Sequence, residues 1–254
     1  MISNLPGILI AVFALVVADP SSTQAKPLDR DDWQTKVHIA RPLSVLLVGN
    51  SHLLMPGFLK KVRRRISAKT DRVPSYRTVA KIGTTLSKSR RRSVTKRILR
   101  SEKWDVIVLQ ESTTAFLTPH GRRRFMSAVE WFDQHKPAHA KLLLWETWPQ
   151  GRRHALYHRR GVWGRWFKNP PRNPKHLFSL ITTDTTRVAE AIDANIAPIG
   201  RCWMRLARAK RPYAKDNYHA SRKGLTFVAE ILARSVVATA QTNSLPGRVQ
   251  GSCP

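Results

Sequence analysis

The sequence predicts an α/β protein, a mainly parallel five-stranded sheet covered by helices on both faces. Three observations carry that prediction. Short apolar runs rich in β-branched residues or leucine stand at 45–48, 106–109, 142–145 and 196–199, with a weaker fifth near 78–82; strands buried on both faces read as continuous apolar runs. Stretches with helical spacing at 54–66, 86–99, 122–135, 177–194 and 224–240 separate and follow them, and strands alternating with helices make a parallel sheet. The 254 residues, 42% hydrophobic, suffice to bury one sizeable core.

Taken in order, residues 1–25 read as a secretory signal peptide, with an apolar run from Ile8 to Ala18 and small polar residues ending at Ala25. The run is about half of the ~20 residues needed to cross a bilayer, and no later segment is apolar enough to span one. A periplasmic or secreted protein with no transmembrane span in its mature chain is therefore expected. Met1 to Leu5 carries no Lys or Arg, which leaves an uncleaved anchor or a buried N-terminal strand as alternatives. Residues 26–43 form a linker, 44–240 the domain and 241–254 a tail. Within the domain, 150–175 is rich in Arg, His, Trp, Gly and Pro and lacks a period, so it is expected as a surface excursion, either a substrate-facing flap or a disordered basic insert. Cys202 and Cys253 are the only cysteines; in an exported chain they either pair, tying the tail to the domain, or stay as free thiols, because spacing does not give the Cα separation a disulfide needs.

Forty-five Lys and Arg against sixteen Asp and Glu give a formal net charge of +29, which calls for an anionic partner or a tolerant environment. The charge lies in short scattered clusters such as Arg63–Arg64–Arg65, Arg90–Arg91–Arg92 and Arg122–Arg123–Arg124. No zinc-finger, helix-turn-helix or RNA-recognition signature accompanies them, and several fall on stretches read as solvated helix faces, so specific nucleic-acid binding is not expected. An anionic polysaccharide or lipid surface is the partner class left.

In open parallel sheets, ligands sit beyond the carboxyl ends of the strands, and the chemistry-bearing residues cluster there. Ser51, in Gly49–Asn50–Ser51–His52, directly follows the first strand and precedes an amphipathic stretch, which suits a nucleophile whose own amide, near a helix N-terminus, stabilises an oxyanion. Alone, such a turn is more often a plain helix cap. Near the other end, Asp216 and His219 stand three residues apart before the last helix. A serine hydroxyl needs an imidazole to take its proton, and the imidazole needs a carboxylate to hold its tautomer and stabilise its charge. Ser51, His219 and Asp216 supply all three.

Val48–Gly49–Asn50–Ser51–His52 resembles the first block of the SGNH (GDSL-like) hydrolase superfamily, and Asp216–Asn217–Tyr218–His219 resembles its terminal Asp-x-x-His block. Between them, the segment from Ala80 to Leu86 is similar to the second block, which places Gly83 in the oxyanion hole. The segment from Trp104 to Ser112 is similar to the third, with Leu109–Gln110–Glu111 where Gly-x-Asn-Asp is commonest, as in the branch with Gly-Asn-Ser and Leu-Gln-Glu blocks. The resemblance spans about 45–233. It implies a three-layer α/β/α sandwich of flavodoxin-like type, a mechanism without metal or cofactor, and hydrolysis of esters, including acylated carbohydrates. It also implies an oxyanion hole of the Ser51 and Gly83 amides with the Gln110 side chain. A non-catalytic domain of this kind that binds anionic envelope glycans is the alternative. Trp145, Trp148, Trp163 and Trp166 either line a sugar-binding cleft or belong to the core. His154 and His158 would share a helical face, but flanking arginines disfavour a metal there.

Overall fold

The computed structural model describes residues 41–101, 103–158, 171–210, 212–241 and 253–254. The signal peptide, most of the linker, most of the tail and the part of the excursion holding Trp163 and Trp166 lie outside the described residues. The strands are β1 (Leu43–Gly49), β2 (Pro74–Ala80), β3 (Val106–Gln110), β4 (Lys141–Trp145) and β5 (Asn195–Ala197). The helices are α1 (Phe58–Ser67), α2 (Leu86–Ser89), α3 (Ser93–Ser101), α4 (Pro119–His135), α5 (Pro174–Ala191), α6 (Ile199–Lys210) and α7 (Arg222–Gln241).

All neighbouring strands pair in parallel, in the order β2-β1-β3-β4-β5. This is the flavodoxin-like order, and its direction reverses between β1 and β3, where the crevice of such a sheet opens. Because side chains alternate along a strand, the apolar runs feed two cores. Val45, Leu47, Val106, Val108, Leu143 and Trp145 face one, with Val62 and Ile66 of α1, Trp203 of α6 and Val228 and Leu232 of α7. Leu46, Val48, Ile107, Leu109, Leu142 and Leu144 face the other, with Leu99 of α3, Phe125 and Phe132 of α4 and Ile181 of α5. The three layers follow from that division.

Local signals set most helix starts. Thr118 accepts from the Gly121 amide and Asn173 from the His176 amide, each followed by a proline that opens its helix. Four readings change. The stretch 86–99 is two helices, with Arg90 leaving the first to donate to the Ser127 carbonyl of α4 at 2.7 Å. The first helix begins only at Phe58, after Pro56 and a left-handed Gly57. The run 196–199 is not one strand, because β5 ends at Ala197 and Ile199 opens α6. That helix has no local start signal: its Arg201 amide is capped at 2.8 Å by Glu146, which follows β4. The start of the presumed surface excursion is also interior, with Gln150, Gly151 and Leu156 buried.

Cys202 and Cys253 form a disulfide, with Cα atoms 5.2 Å apart. It fixes the end of the chain to α6. Among the described residues no helix is long and apolar enough to cross a membrane. Closing a loop of 51 positions removes much chain entropy from the unfolded state, so Cys253→Ser is expected to lower stability by about 2–4 kcal/mol. Denaturant melts with and without reductant would check this; reductant should destabilise the parent and leave the variant unmoved.

Candidate active site

The three side chains expected to work together meet beyond the carboxyl ends of β1 and β3. His219 Nε2 lies 3.0 Å from Ser51 Oγ, across 168 positions of sequence, and His219 Nδ1 lies 2.6 Å from Asp216 Oδ2. The other Asp216 oxygen accepts from the Tyr218 and His219 amides, both at 3.0 Å. Burial pulls the Asp216 carboxyl up, but the His219 side chain and those two amides outweigh it and hold the group below its ordinary value. An ionised carboxylate has no proton to give, so Nδ1 of His219 is the donor and Nε2 of the neutral ring is free to accept from Ser51. Asn217, at φ 53°, makes the left-handed bend that brings Asp216 under the ring.

The loop carrying Asp216 and His219 is gripped from the segment after β4. Trp148 Nε1 donates to the Tyr218 carbonyl at 2.9 Å, the Gly151 amide to the Asn217 carbonyl at 2.6 Å, and Tyr213 Oη to the Pro149 carbonyl at 2.9 Å. Trp148 is fully buried and stacks on Trp203 with centroids 4.4 Å apart, an arrangement worth about 0.5–1.5 kcal/mol beyond burial. Trp145 is buried as well. Trp145 is core and Trp148 is both core and clamp, and the sugar-stacking alternative fails for them because no ring face is open.

Ser51 sits on a tight turn and not on a helix end. The Leu53 amide donates to the Asn50 carbonyl and the Leu54 amide to the Ser51 carbonyl, both at 3.1 Å. Gly49 is dictated by close approach: a Cβ there would meet Gln110 Oε1 at 2.6 Å and Leu53 at 2.8 Å. Gly83 lies on the turn after β2 with φ +67°, a conformation other residues rarely adopt.

Gln110 does not take the position expected of an oxyanion donor. Its side chain is fully buried; Oε1 accepts from the Asn50 amide at 2.9 Å and Nε2 donates to the Glu111 carbonyl at 2.6 Å. Glutamine is one methylene longer than the asparagine commonest there, and the extra reach carries its amide beneath the turn that holds Ser51. Asn50 presents a different amide: its Oδ1 accepts from the His52 amide at 3.3 Å, while its buried Nδ2 has no partner.

Two buried titratable groups complete the surroundings. His52 packs edge-on against Trp148 at 4.5 Å and Tyr218 at 4.9 Å, and 5.3 Å from His219, and neither of its ring nitrogens has a partner. Burial, helped by His219 and opposed by Asp216, pushes its imidazole down to about 3, so it is an uncharged wall behind His219. Its place next to Ser51 was the only sequence signal for it. Glu111 accepts from the Ser112 amide at 2.6 Å and the Leu86 amide at 3.1 Å, joining the end of β3 to the start of α2.

The cleft over Ser51 measures about 730 Å³. Leu54, Met55, Pro56, Ile82, Leu117 and Leu156 give it an apolar lining, and Asn50, Gly83, His154 and Tyr218 also border it. His158 is not among its lining residues.

Neither a protein-family model nor a curated protein sequence matches the chain. Solved structures do. A protein assigned as an SGNH hydrolase from Slackia heliotrinireducens is similar over 76% of this chain and 98% of its own, at 20% identity and a TM-score of 0.62. The lipase/acylhydrolase from Enterococcus faecalis is similar over 82% and 98%, at 14% identity and a TM-score of 0.56. A psychrotrophic esterase from Pseudoalteromonas sp. is similar over 77% and 97%, at 14% identity and a TM-score of 0.54. The chain has the fold of the SGNH and GDSL-like hydrolases.

Burial pushes the Glu111 carboxyl up to about 8, against the opposing hydrogen bonds from Ser112 and Leu86. The unfolded chain releases this proton near 4.5 and the folded chain only near 8, so the folded state holds the extra proton between them and stability falls as pH rises through that window. Melting temperature is expected to decline across it, and Glu111→Gln, which cannot ionise, to flatten the decline. A variant keeping the parent slope would assign the dependence to another group.

Proposed function

We propose that the chain is an exported serine ester hydrolase working through Ser51, His219 and Asp216. The observation that carries this reading is the unbroken hydrogen-bond chain from Ser51 Oγ through His219 to Asp216, at 3.0 and 2.6 Å. Ser51 Oγ bonds to the ester carbonyl carbon as its proton passes to His219 Nε2. Asp216 stabilises the imidazolium. Collapse of the tetrahedral intermediate breaks the bond to the alcohol, which leaves with that proton. Water, deprotonated by His219, then attacks the acyl-enzyme and releases the carboxylic acid and free Ser51.

The amides of Ser51 and Gly83 are the backbone candidates for the oxyanion, since both residues line the cleft. The side-chain donor in this reading is Asn50 instead of Gln110. An unpartnered buried amide costs about 1–3 kcal/mol, and one retained beside the nucleophile suits a charge that appears only during reaction. The apolar lining suits the acyl group, and the esterase and lipase descriptions of proteins with this fold point the same way. Export is supported by the disulfide, because such bonds persist in oxidising compartments.

Ser51→Ala is expected to lower kcat for 4-nitrophenyl acetate by about 10⁴-fold or more at an unchanged melting temperature. Parent-like turnover in that variant would end the triad assignment. The two amides separate by a paired measurement of kcat and melting temperature. Asn50→Ala is expected to cut kcat by about 10²–10³ with little change in KM. Gln110→Ala is expected chiefly to lose stability, by about 1–3 kcal/mol, because it strands the Asn50 amide and the Glu111 carbonyl. The reverse pattern would restore Gln110 to the oxyanion hole.

A further inference from the structure

Beside the catalytic loop lie two hollows of about 470 and 590 Å³ that share Arg152, Pro174 and Met204 and so form one groove. Arg153 and Lys215 line the first; His158, Arg172 and Lys175 line the second. Among the described residues, no Asp or Glu lines either. Elsewhere on the molecule the basic side chains of Arg65, Lys69, Arg72, Arg122, Arg201 and Arg234 are held in ion pairs, while Arg63, Arg64, Arg123 and Arg124 stand exposed on helix faces and line no hollow shared with the reaction site. Arg152, Arg153, Arg172, Lys175 and Lys215 are exposed, and among the described residues none of their side chains has an ion-pair or hydrogen-bond partner.

This placement is costly in the free protein. Arg172 and Lys175 flank the N-terminus of α5, an 18-residue helix with no acidic residue in its first turn, so their charges add to the positive end of the helix dipole instead of offsetting it. The groove also adjoins the reaction site. Gly151 and Asn217 line the groove, their chain neighbours Gln150 and Tyr218 line the cleft over Ser51, and the 2.6 Å hydrogen bond from Gly151 to Asn217 forms the saddle between.

We propose that this groove binds the anionic backbone of an O-acylated acidic polysaccharide, laying an ester of that polymer across the saddle to Ser51. The inference rests on the serine-esterase reading and names its substrate class. Hydrolysis of the ester by water frees a sugar hydroxyl and the carboxylic acid. A row of cations along two joined hollows fits repeating negative charges better than one anionic group. A bilayer is the weaker fit for the groove, because surface-seated proteins insert apolar side chains and, among the described residues, the exposed large apolar ones, Leu54, Val73 and Ile82, lie outside it. A nucleic acid would satisfy the cations but brings no acyl ester to Ser51.

The experiment uses the purified full chain and an Arg172→Glu/Lys175→Glu variant, two exposed positions outside the cleft over Ser51. Binding is measured to polygalacturonate, neutral dextran, vesicles of phosphatidylcholine and phosphatidylglycerol, and a single-stranded RNA oligonucleotide. Turnover is measured on acetylated polygalacturonate and on 4-nitrophenyl acetate. The expected result is tight, salt-sensitive binding to polygalacturonate and none to dextran. The ratio of polymer to small-ester kcat/KM should fall about tenfold or more in the variant or on raising salt from ~50 to ~200 mM. Equal ratios in parent and variant would overturn the proposal, as would preference for vesicles or RNA over polygalacturonate. Groove-dependent polygalacturonate binding without hydrolysis of either ester would uphold the groove and reject the esterase reading.

Discussion

Where β1 and β3 part, the Asn50 amide donates to Gln110 Oε1, and the geometry of the cleft depends on that bond. The last rung between the two strands pairs Val48 with Leu109. Beyond it the backbone ladder offers nothing, because the crevice exists only if the chains separate. A side chain must take over, and it must be polar, buried and satisfied at both ends. Gln110 meets those terms by accepting from the Asn50 amide of the turn that holds Ser51 and donating to the Glu111 carbonyl. Glu111 extends the tie to α2 through the Leu86 amide, and so steadies the far end of the turn that carries Gly83. One dipeptide at the end of β3 therefore sets the spacing between Ser51 and the opposite wall.

The partner loop is fixed by a separate device. Asp216 and His219 lie between α6 and α7, on a stretch whose regular pairing, among the described residues, amounts to one bridge, Tyr213 to Ala220. Without support such a loop would sample many geometries, and misplacing a general base by about 1 Å can cost ~10² in rate. Trp148 supplies the support by burying its ring against Trp203 and spending its only N–H on the Tyr218 carbonyl. His52 closes the remaining gap as a neutral ring. Were it charged, it would compete with His219 for Asp216; burial among Trp148, Tyr218 and His219 prevents that.

The parts legible in the sequence are those governed by local rules. Apolar runs gave the central strands because burial on two faces leaves a composition that little else produces, and helical spacing gave the bodies of α4 and α5 at 122–135 and 177–194 while missing their capped first turns, which open at Pro119 and Pro174. The meeting of Ser51, Asp216 and His219 was legible because a hydroxyl, an imidazole and a carboxylate standing at strand or helix ends are what a serine–histidine–aspartate arrangement needs. The α6 helix was not, since its cap is a carboxylate 55 positions away. Nor was the direction of the Gln110 side chain, which depends on how far one methylene carries an amide past Gly49, a distance no pattern encodes. The roles of Trp145 and Trp148 needed the same three-dimensional fact, whether a ring face is open or covered.

The distribution of carboxylates bears on the charge of +29. Asp105 pairs with Arg41 and Arg72 and accepts from the Ser44 amide at the start of β1. Asp184 on α5 holds Arg122 on α4, Glu230 on α7 holds Arg65 on α1, and Glu146 after β4 holds Arg201 on α6. Each of these acids joins two elements, so each contributes to the fold where a surface ion pair would contribute little. The unpaired cations make no such contribution, and their mutual repulsion opposes the compact state. Nothing in the packing of the two cores requires that excess. A polyanion that bound the folded chain would relieve the repulsion and add stability by mass action, so the same surface charge that weakens the isolated protein would strengthen it in such a complex.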